Sequence, residues 1–190
     1  MERSTEPTGS LHDLTPSLVT RLRNGDRDAA ALLENLYRDA LIRFCWGYLA
    51  NMDEAEDAVQ DVCCQVLEVR DIPDRFRPWL YRTARNHCLN LLRARVRRKD
   101  GQVLPAESRV DAALTGHLTG MARAELRGRL AELVAALSDA QREVLRLRYV
   151  EDLSRTEIAE VLEESESVIK SRLFEGLKRL RHLAPELGEE

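Results

Sequence analysis

The sequence has no run of about 18 apolar residues, the length a helix needs to cross a bilayer. Its opening residues, MERSTEPTGSLHD, are polar and acidic, where a secretory leader would be basic and then apolar. The expectation is a soluble cytoplasmic protein. Cysteine is sparse and unpatterned: Cys45, Cys63, Cys64 and Cys88 form no CxxC pair and lie at no finger-like spacing from histidine. They read as structural thiols packing as small apolar side chains in a reducing compartment. Strand-like alternation is missing, and so is any long internal repeat. One further absence is local. Between Arg75 and Lys99 no acidic residue occurs, while nine basic ones do: Arg75, Arg77, Arg82, Arg85, Arg93, Arg95, Arg97, Arg98 and Lys99.

What is present is charge and helical periodicity. Of the 190 residues 44% are hydrophobic and 33% charged, a density that suits solvated helices. From Ser154 to Ala184 six basic and six acidic residues cancel, so with a net charge of −4 and +9 in the basic block, the remainder carries −13. A basic block in an otherwise acidic chain points to a local polyanion site, with acidic faces left for another partner.

The periodicity predicts an all-α protein of two small helical domains. Residues 1–13 read as a tail, 14–100 as a helical module, 101–121 as a linker, 122–185 as a second module and 186–190 as a short tail. In DAAALLENLYRDALIRFCWGYL, Leu32, Leu33, Leu36, Ala40, Leu41, Phe44 and Tyr48 keep the spacing of a buried stripe. NMDEAEDAVQDVCCQVLEV restarts it, with Asp53 and Glu56 at capping-box spacing and Ala55, Val59, Val62, Cys63 and Val66 inward. Two prolines in RDIPDRFRP break the helix, and the next is expected from Trp79 through the basic block. GQVLPAESRVDAALTGHLTG has linker composition. Beyond it, Ser138 to Gln141 and Ser154 to Glu157 mark two helix starts.

A short helix from Thr156 to Leu162 and a longer one from Glu166 to His182 make a helix-turn-helix pattern, whose second helix enters the major groove. Ile169, Leu173, Leu177 and Leu180 face inward there, leaving Ser167, Lys170, Ser171 and Phe174 outward. Lys170 and the serines suit base edges or phosphates, and Arg155, Arg172, Lys178 and Arg179 suit phosphates. On the basic helix Leu80, Ala84, Cys88 and Leu91 form an inner stripe. Arg82, Arg85, Asn86, Asn90, Arg93 and Arg97 lie along another side, and Trp79 and Tyr81 could stack on unpaired bases.

The chain resembles the extracytoplasmic-function sigma factors of the bacterial sigma-70 family. AEDAVQDV, FRPWLYRTARNHCLNLLR and the arginine run after it look like that family's second conserved region, and LSRTEIAEVLEESESVIKSRLFEGLKRLR is similar to its fourth. The resemblance implies a promoter-specificity subunit whose partners are core RNA polymerase, promoter DNA and an anti-sigma factor. Glu56, Asp57, Gln60 and Asp61 would meet the polymerase clamp helices. Arg77, Trp79, Tyr81, Arg82, Arg85, Asn86, Asn90, Arg93 and Arg97 would read and melt the −10 element, with the Arg70 to Pro78 segment capturing a flipped base. Arg155, Glu166, Ser167, Lys170, Ser171, Arg172 and Lys178 would read the −35 element. No cofactor, metal or catalytic residue is implied.

Within EESESVIKSR the chain departs from the family pattern, carrying Glu163 and Ser167 where glycines are common. A side chain forced to positive φ costs on the order of 1 kcal/mol. Acids at a helix start favour its dipole but oppose phosphate docking there. Glu166 is placed to accept from a cytosine amino group. The rival readings are a sigma-like adaptor without promoter activity, a polymerase-independent helix-turn-helix regulator, and a metal or redox enzyme on Cys63, Cys64, Cys88 and His87. The regulator lacks room for a sensor domain. Adjacent cysteines suit neither an ordinary disulfide nor a shared tetrahedral site.

Overall fold

The computed structural model describes residues 11–98 and 133–183, and all regular structure among them is helical. The sequence expectations for residues 1–10, 99–132 and 184–190, including the linker, lie outside the described residues. The first module comprises α1 (Leu11–Arg23), α2 (Ala29–Leu49), α3 (Met52–Glu68) and α4 (Phe76–Arg98). The second comprises α5 (Asp139–Tyr149), α6 (Arg155–Leu162) and α7 (Glu166–Leu183).

In the first module, α2 turns into α3 within two residues, because Ala50 takes a left-handed φ of 51°. The cap of α3 is Asn51, whose side chain accepts from the Glu54 amide at 3.1 Å; this corrects the Asp53 capping box expected from sequence. Asn51 and Glu54 share the same spacing two residues earlier. α4 also begins sooner than expected, at Phe76, and runs through Pro78. A proline in the first turn is tolerated, since amides there have no partner in the preceding turn. The aromatic side chains interlock in the core. Phe44 meets Tyr81 edge-on at 5.0 Å and Tyr37 meets Phe76 at 5.9 Å. Cys45 and Cys88 are buried there, but Cys64 is exposed, unlike the packed thiol expected from sequence.

The second module opens with the two capping boxes read from sequence, at Ser138 with Gln141 and at Ser154 with Glu157. Ile158, Ala159, Val161 and Leu162 face inward on α6, and Ile169 and Leu173 on α7. α7 lies close to α5 at Gly176, where an added Cβ would stand 3.0 Å from Leu145 Cδ1.

The two modules share one core. α4 packs along α6, and the apolar cluster continues from Phe44, Leu80 and Ala84 to Leu145, Leu147 and Ile158. Arg146 of α5 is completely buried at this junction. Its guanidinium lies 4.2 Å from the Tyr48 ring centre and 4.9 Å from that of Phe44, and it donates to the Phe44 carbonyl at 3.4 Å.

Candidate polymerase and nucleic-acid interfaces

Three surfaces carry the residues singled out in the sequence. On α3, Glu56, Asp57, Gln60 and Asp61 are all exposed, while Ala55, Ala58, Val59 and Val62 anchor the opposite side. Three of the four border a groove of about 500 Å³ between α2 and α3, which Arg38 and Cys63 also line. Arg38 approaches Glu56 at 3.8 Å. Burial, followed by the charge of Glu34, pushes the Cys63 thiol up to about 11, so it stays protonated in this groove. Asp61 is turned away, its Oδ2 3.4 Å from His87 Nε2 on α4.

The basic helix α4 divides into two parts. Asn86, Asn90, Arg93 and Arg97 are exposed, with Arg93 donating to Asn90 Oδ1 at 2.9 Å. The part before them is covered by the second module. Arg77, expected on the DNA face, is buried and donates to the Glu151 carbonyl at 2.6 Å and the Asp152 carbonyl at 3.2 Å. Tyr81, expected to stack on a base, is a core residue: it is 2% exposed, and its hydroxyl donates to Glu151 Oε2 at 3.1 Å. Burial, then the Glu151 charge, raises its pKa. In this arrangement neither side chain reaches a base, because the second module widens the buried face of α4. Trp79 is half-buried and packs on Phe76 at 5.8 Å between ring centres. Arg82 lies 3.6 Å from Glu163, and Arg85 donates to Glu143 at 2.8 Å.

Glu143 also accepts from the Tyr48 hydroxyl. Burial works to raise its pKa, but hydrogen bonds from Arg85 and Tyr48 and the charges of Arg85 and Arg146 prevail and hold it below the usual carboxylate value.

The third surface is the outer face of α7. Glu166, Ser167, Lys170, Ser171, Phe174 and Lys178 are exposed there, as is Arg155 at the start of α6. Ser165, which the sequence reading passed over, caps α7 by accepting from the Val168 amide at 3.4 Å. Arg172 is half-buried and held by Glu164 at 2.9 Å. Glu163 ends α6 at φ 57° and ψ 40°, the left-handed conformation that glycine adopts without strain.

An acidic groove, a basic helix and a helix-turn-helix on one small helical chain describe a transcription protein that binds both a protein partner and DNA. The Sigma-70 region 2 family model matches residues 34–98, and the Sigma-70 region 4 model matches residues 127–180. The chain belongs to the extracytoplasmic-function sigma factors of the sigma-70 family. It is 29% identical over 176 residues to the extracytoplasmic-function RNA polymerase sigma factor SigW of Bacillus subtilis, covering 86% of this chain and 92% of that protein. It is 27% identical to the sigma-E factor of Haemophilus influenzae, over 83% and 88% of the two chains. Two solved structures share the fold. One is CnrH in complex with the cytosolic domain of CnrY, at a TM-score of 0.63 and 21% identity, covering 90% of this chain and 96% of CnrH. The other is the Bartonella quintana sigma factor RpoE with the anti-sigma factor NepR, at 0.54 and 20%, covering 92% and 95%. The family consists of transcription regulators, and no described helix is long and apolar enough to cross a membrane.

Proposed function

We propose that this sigma factor divides promoter recognition between its modules and does so in the cytoplasm, without catalytic activity of its own. Glu56, Asp57 and Gln60 at the α2–α3 groove meet the core polymerase, with Asp61 at the margin. Asn86, Asn90, Arg93 and Arg97 of α4 take the −10 element, using amide hydrogen bonds on base edges and guanidinium charge on phosphates. Arg82, Arg85 and Trp79 join them once the second module moves off, and Arg77 and Tyr81 contribute only in that opened form. Ser167, Lys170 and Ser171 enter the −35 major groove, flanked by Arg155, Arg172 and Lys178 on phosphates. Glu166 accepts from a cytosine amino group.

The observation that carries this reading is the exposed polar face of α7, placed directly after a helix-turn-helix corner and fixed by the Ser165 cap. An anti-sigma partner is proposed because RpoE, a structural relative, is held by one.

The test is transcription in vitro by bacterial core polymerase on a library of random promoters, with and without the protein. Start sites that appear only with it should share elements near −35 and −10, and Glu166→Ala should relax one −35 position. Tight polymerase binding without any new start site would overturn the reading in favour of an adaptor.

A further inference from the structure

The connection between α3 and α4, residues 69–75, has no regular structure and delivers the chain to the first turn of the basic helix. Its side chains Arg70, Asp71, Asp74 and Arg75 are exposed, while Ile72 is buried in the core. Pro73 disfavours a helical turn at Ile72 and brings no amide donor of its own. A polar stretch without helical hydrogen bonds has no internal reason to hold one shape.

The shape is imposed from α1. Arg23, its last residue, directs Nε and Nη2 at the Ile72 carbonyl, at 3.1 and 2.7 Å, and Nη2 also meets Asp74 Oδ1 at 2.7 Å. A planar fork on one main-chain oxygen fixes both the place and the orientation of that peptide. Nearer the start of α1, Thr15 Oγ1 lies 2.7 Å from the Tyr37 hydroxyl, and Tyr37 meets Phe76 edge-on. Phe76 opens α4, and Trp79 packs on it. The helix α1 therefore braces the connection and the first turn of α4 together. The side chain of Arg23 is 42% exposed, so its replacement opens no hole in the core.

We propose that Arg23 is a positioning residue for −10 recognition: through the Ile72 carbonyl and Asp74 it holds residues 69–75 in one shape before DNA arrives, so that a base leaving the stack beside Trp79 meets a preformed receptacle. That this stretch receives a −10 base rests on the sigma-factor reading; the part played by Arg23 rests on its hydrogen bonds. Without the fork the stretch would be ordered only as DNA binds, and the entropy of ordering it would be charged against the capture of that base. Arg23 acts through the main chain it grips, not on the base itself. Sequence reading gave it no role, because its acceptor lies 49 residues further along the chain.

The test uses holoenzyme formed from the full-length protein and core polymerase, on fork-junction DNA carrying the −10 sequence selected in the random-promoter transcription. Removing one base at a time by abasic substitution should cost the wild type most at one position, that of the captured base. Arg23→Ala should bind the intact fork roughly tenfold less well, the ratio that one hydrogen bond to a charged group supports. It should lose little more when that same base is removed, since the two changes abolish one interaction. A fluorescent purine analogue at the position should brighten on unstacking with the wild type and much less with Arg23→Ala. Arg23→Lys, which keeps the charge and one donor at a time, should recover part of the discrimination. Asp74→Ala, which leaves the bonds to Ile72, should lose less than Arg23→Ala. Arg27→Ala, at an exposed arginine in the turn after α1, should change nothing, and polymerase affinity should be equal throughout. An equal loss for Arg23→Ala at every position, or the wild-type pattern retained at the captured base, would overturn the positioning role and leave the −10 reading standing. No selected −10 element, or a wild type indifferent to every abasic site, would overturn the −10 reading and the positioning role with it.

Discussion

Tyr81 and Glu151 join the two modules through one hydrogen bond, the Tyr81 hydroxyl donating to Glu151 Oε2 at 3.1 Å in a site closed to solvent. The same oxygen lies 3.2 Å from the Arg43 guanidinium. Removing the carboxylate leaves a buried hydroxyl and a mostly buried cation without their acceptor. Glu151→Ala should therefore lower stability by about 2–3 kcal/mol, and Glu151→Gln, which keeps an acceptor, by less. Chemical denaturation with near-ultraviolet detection of the tyrosines measures both, and equal losses would show that the bond contributes nothing.

Acid should loosen the junction. Glu143 has its carboxyl pKa held below its ordinary 4.5, and a group depressed in the folded state stabilises that state fully above its unfolded value. The contribution is lost as pH falls below 4.5 through the folded value. The groups facing it are Arg85, Tyr48 and Arg146. Scattering on a descending pH series should show expansion before global unfolding, and Glu143→Gln should weaken that pH dependence.

At the helix-turn-helix corner, Glu163→Gly should raise stability by about 0.5–1 kcal/mol, since φ 57° costs a glycine nothing. The Arg82 contact it forfeits is exposed and long, so its loss is small. Thermal unfolding reads the gain. A lower melting temperature would mean that the pair matters more than the strain.

Arg93 and Arg97 are exposed on α4, so reversing them separates DNA binding from packing. Arg93→Glu with Arg97→Glu should reduce promoter opening at least about tenfold while leaving polymerase affinity and scattering unchanged. Permanganate footprinting and a polymerase pull-down give the two readouts. Reversing Arg85 would confuse them, because it would also repel Glu143.

The helices were legible wherever one face is buried by its own module. The stripes on α2, α3 and α7 follow from the helical period, and the caps at Ser138 and Ser154 from a three-residue spacing. The left-handed corner at Glu163 was anticipated because a glycine is usual there. The position of Tyr81 could not be read in the same way. It adjoins the inner stripe of α4, packs on Phe44 of its own module and is closed off by Glu151 between α5 and α6, a contact between residues about 70 positions apart that leaves no local period. The partners of Arg77, Arg82 and Arg85 were hidden for the same reason. Their basic character was plain in the sequence, and their partners lie 58 to 81 residues away.

Arg77 bridges two consecutive carbonyls, those of Glu151 and Asp152, with separate guanidinium nitrogens. A lysine can neutralise a phosphate as a point charge, but two neighbouring peptide oxygens call for a planar fork. The choice of amino acid at position 77 is thus dictated by the chain's own main chain, whatever the promoter sequence. Arg77→Lys would keep the charge of α4 and lose the grip that holds the molecule shut.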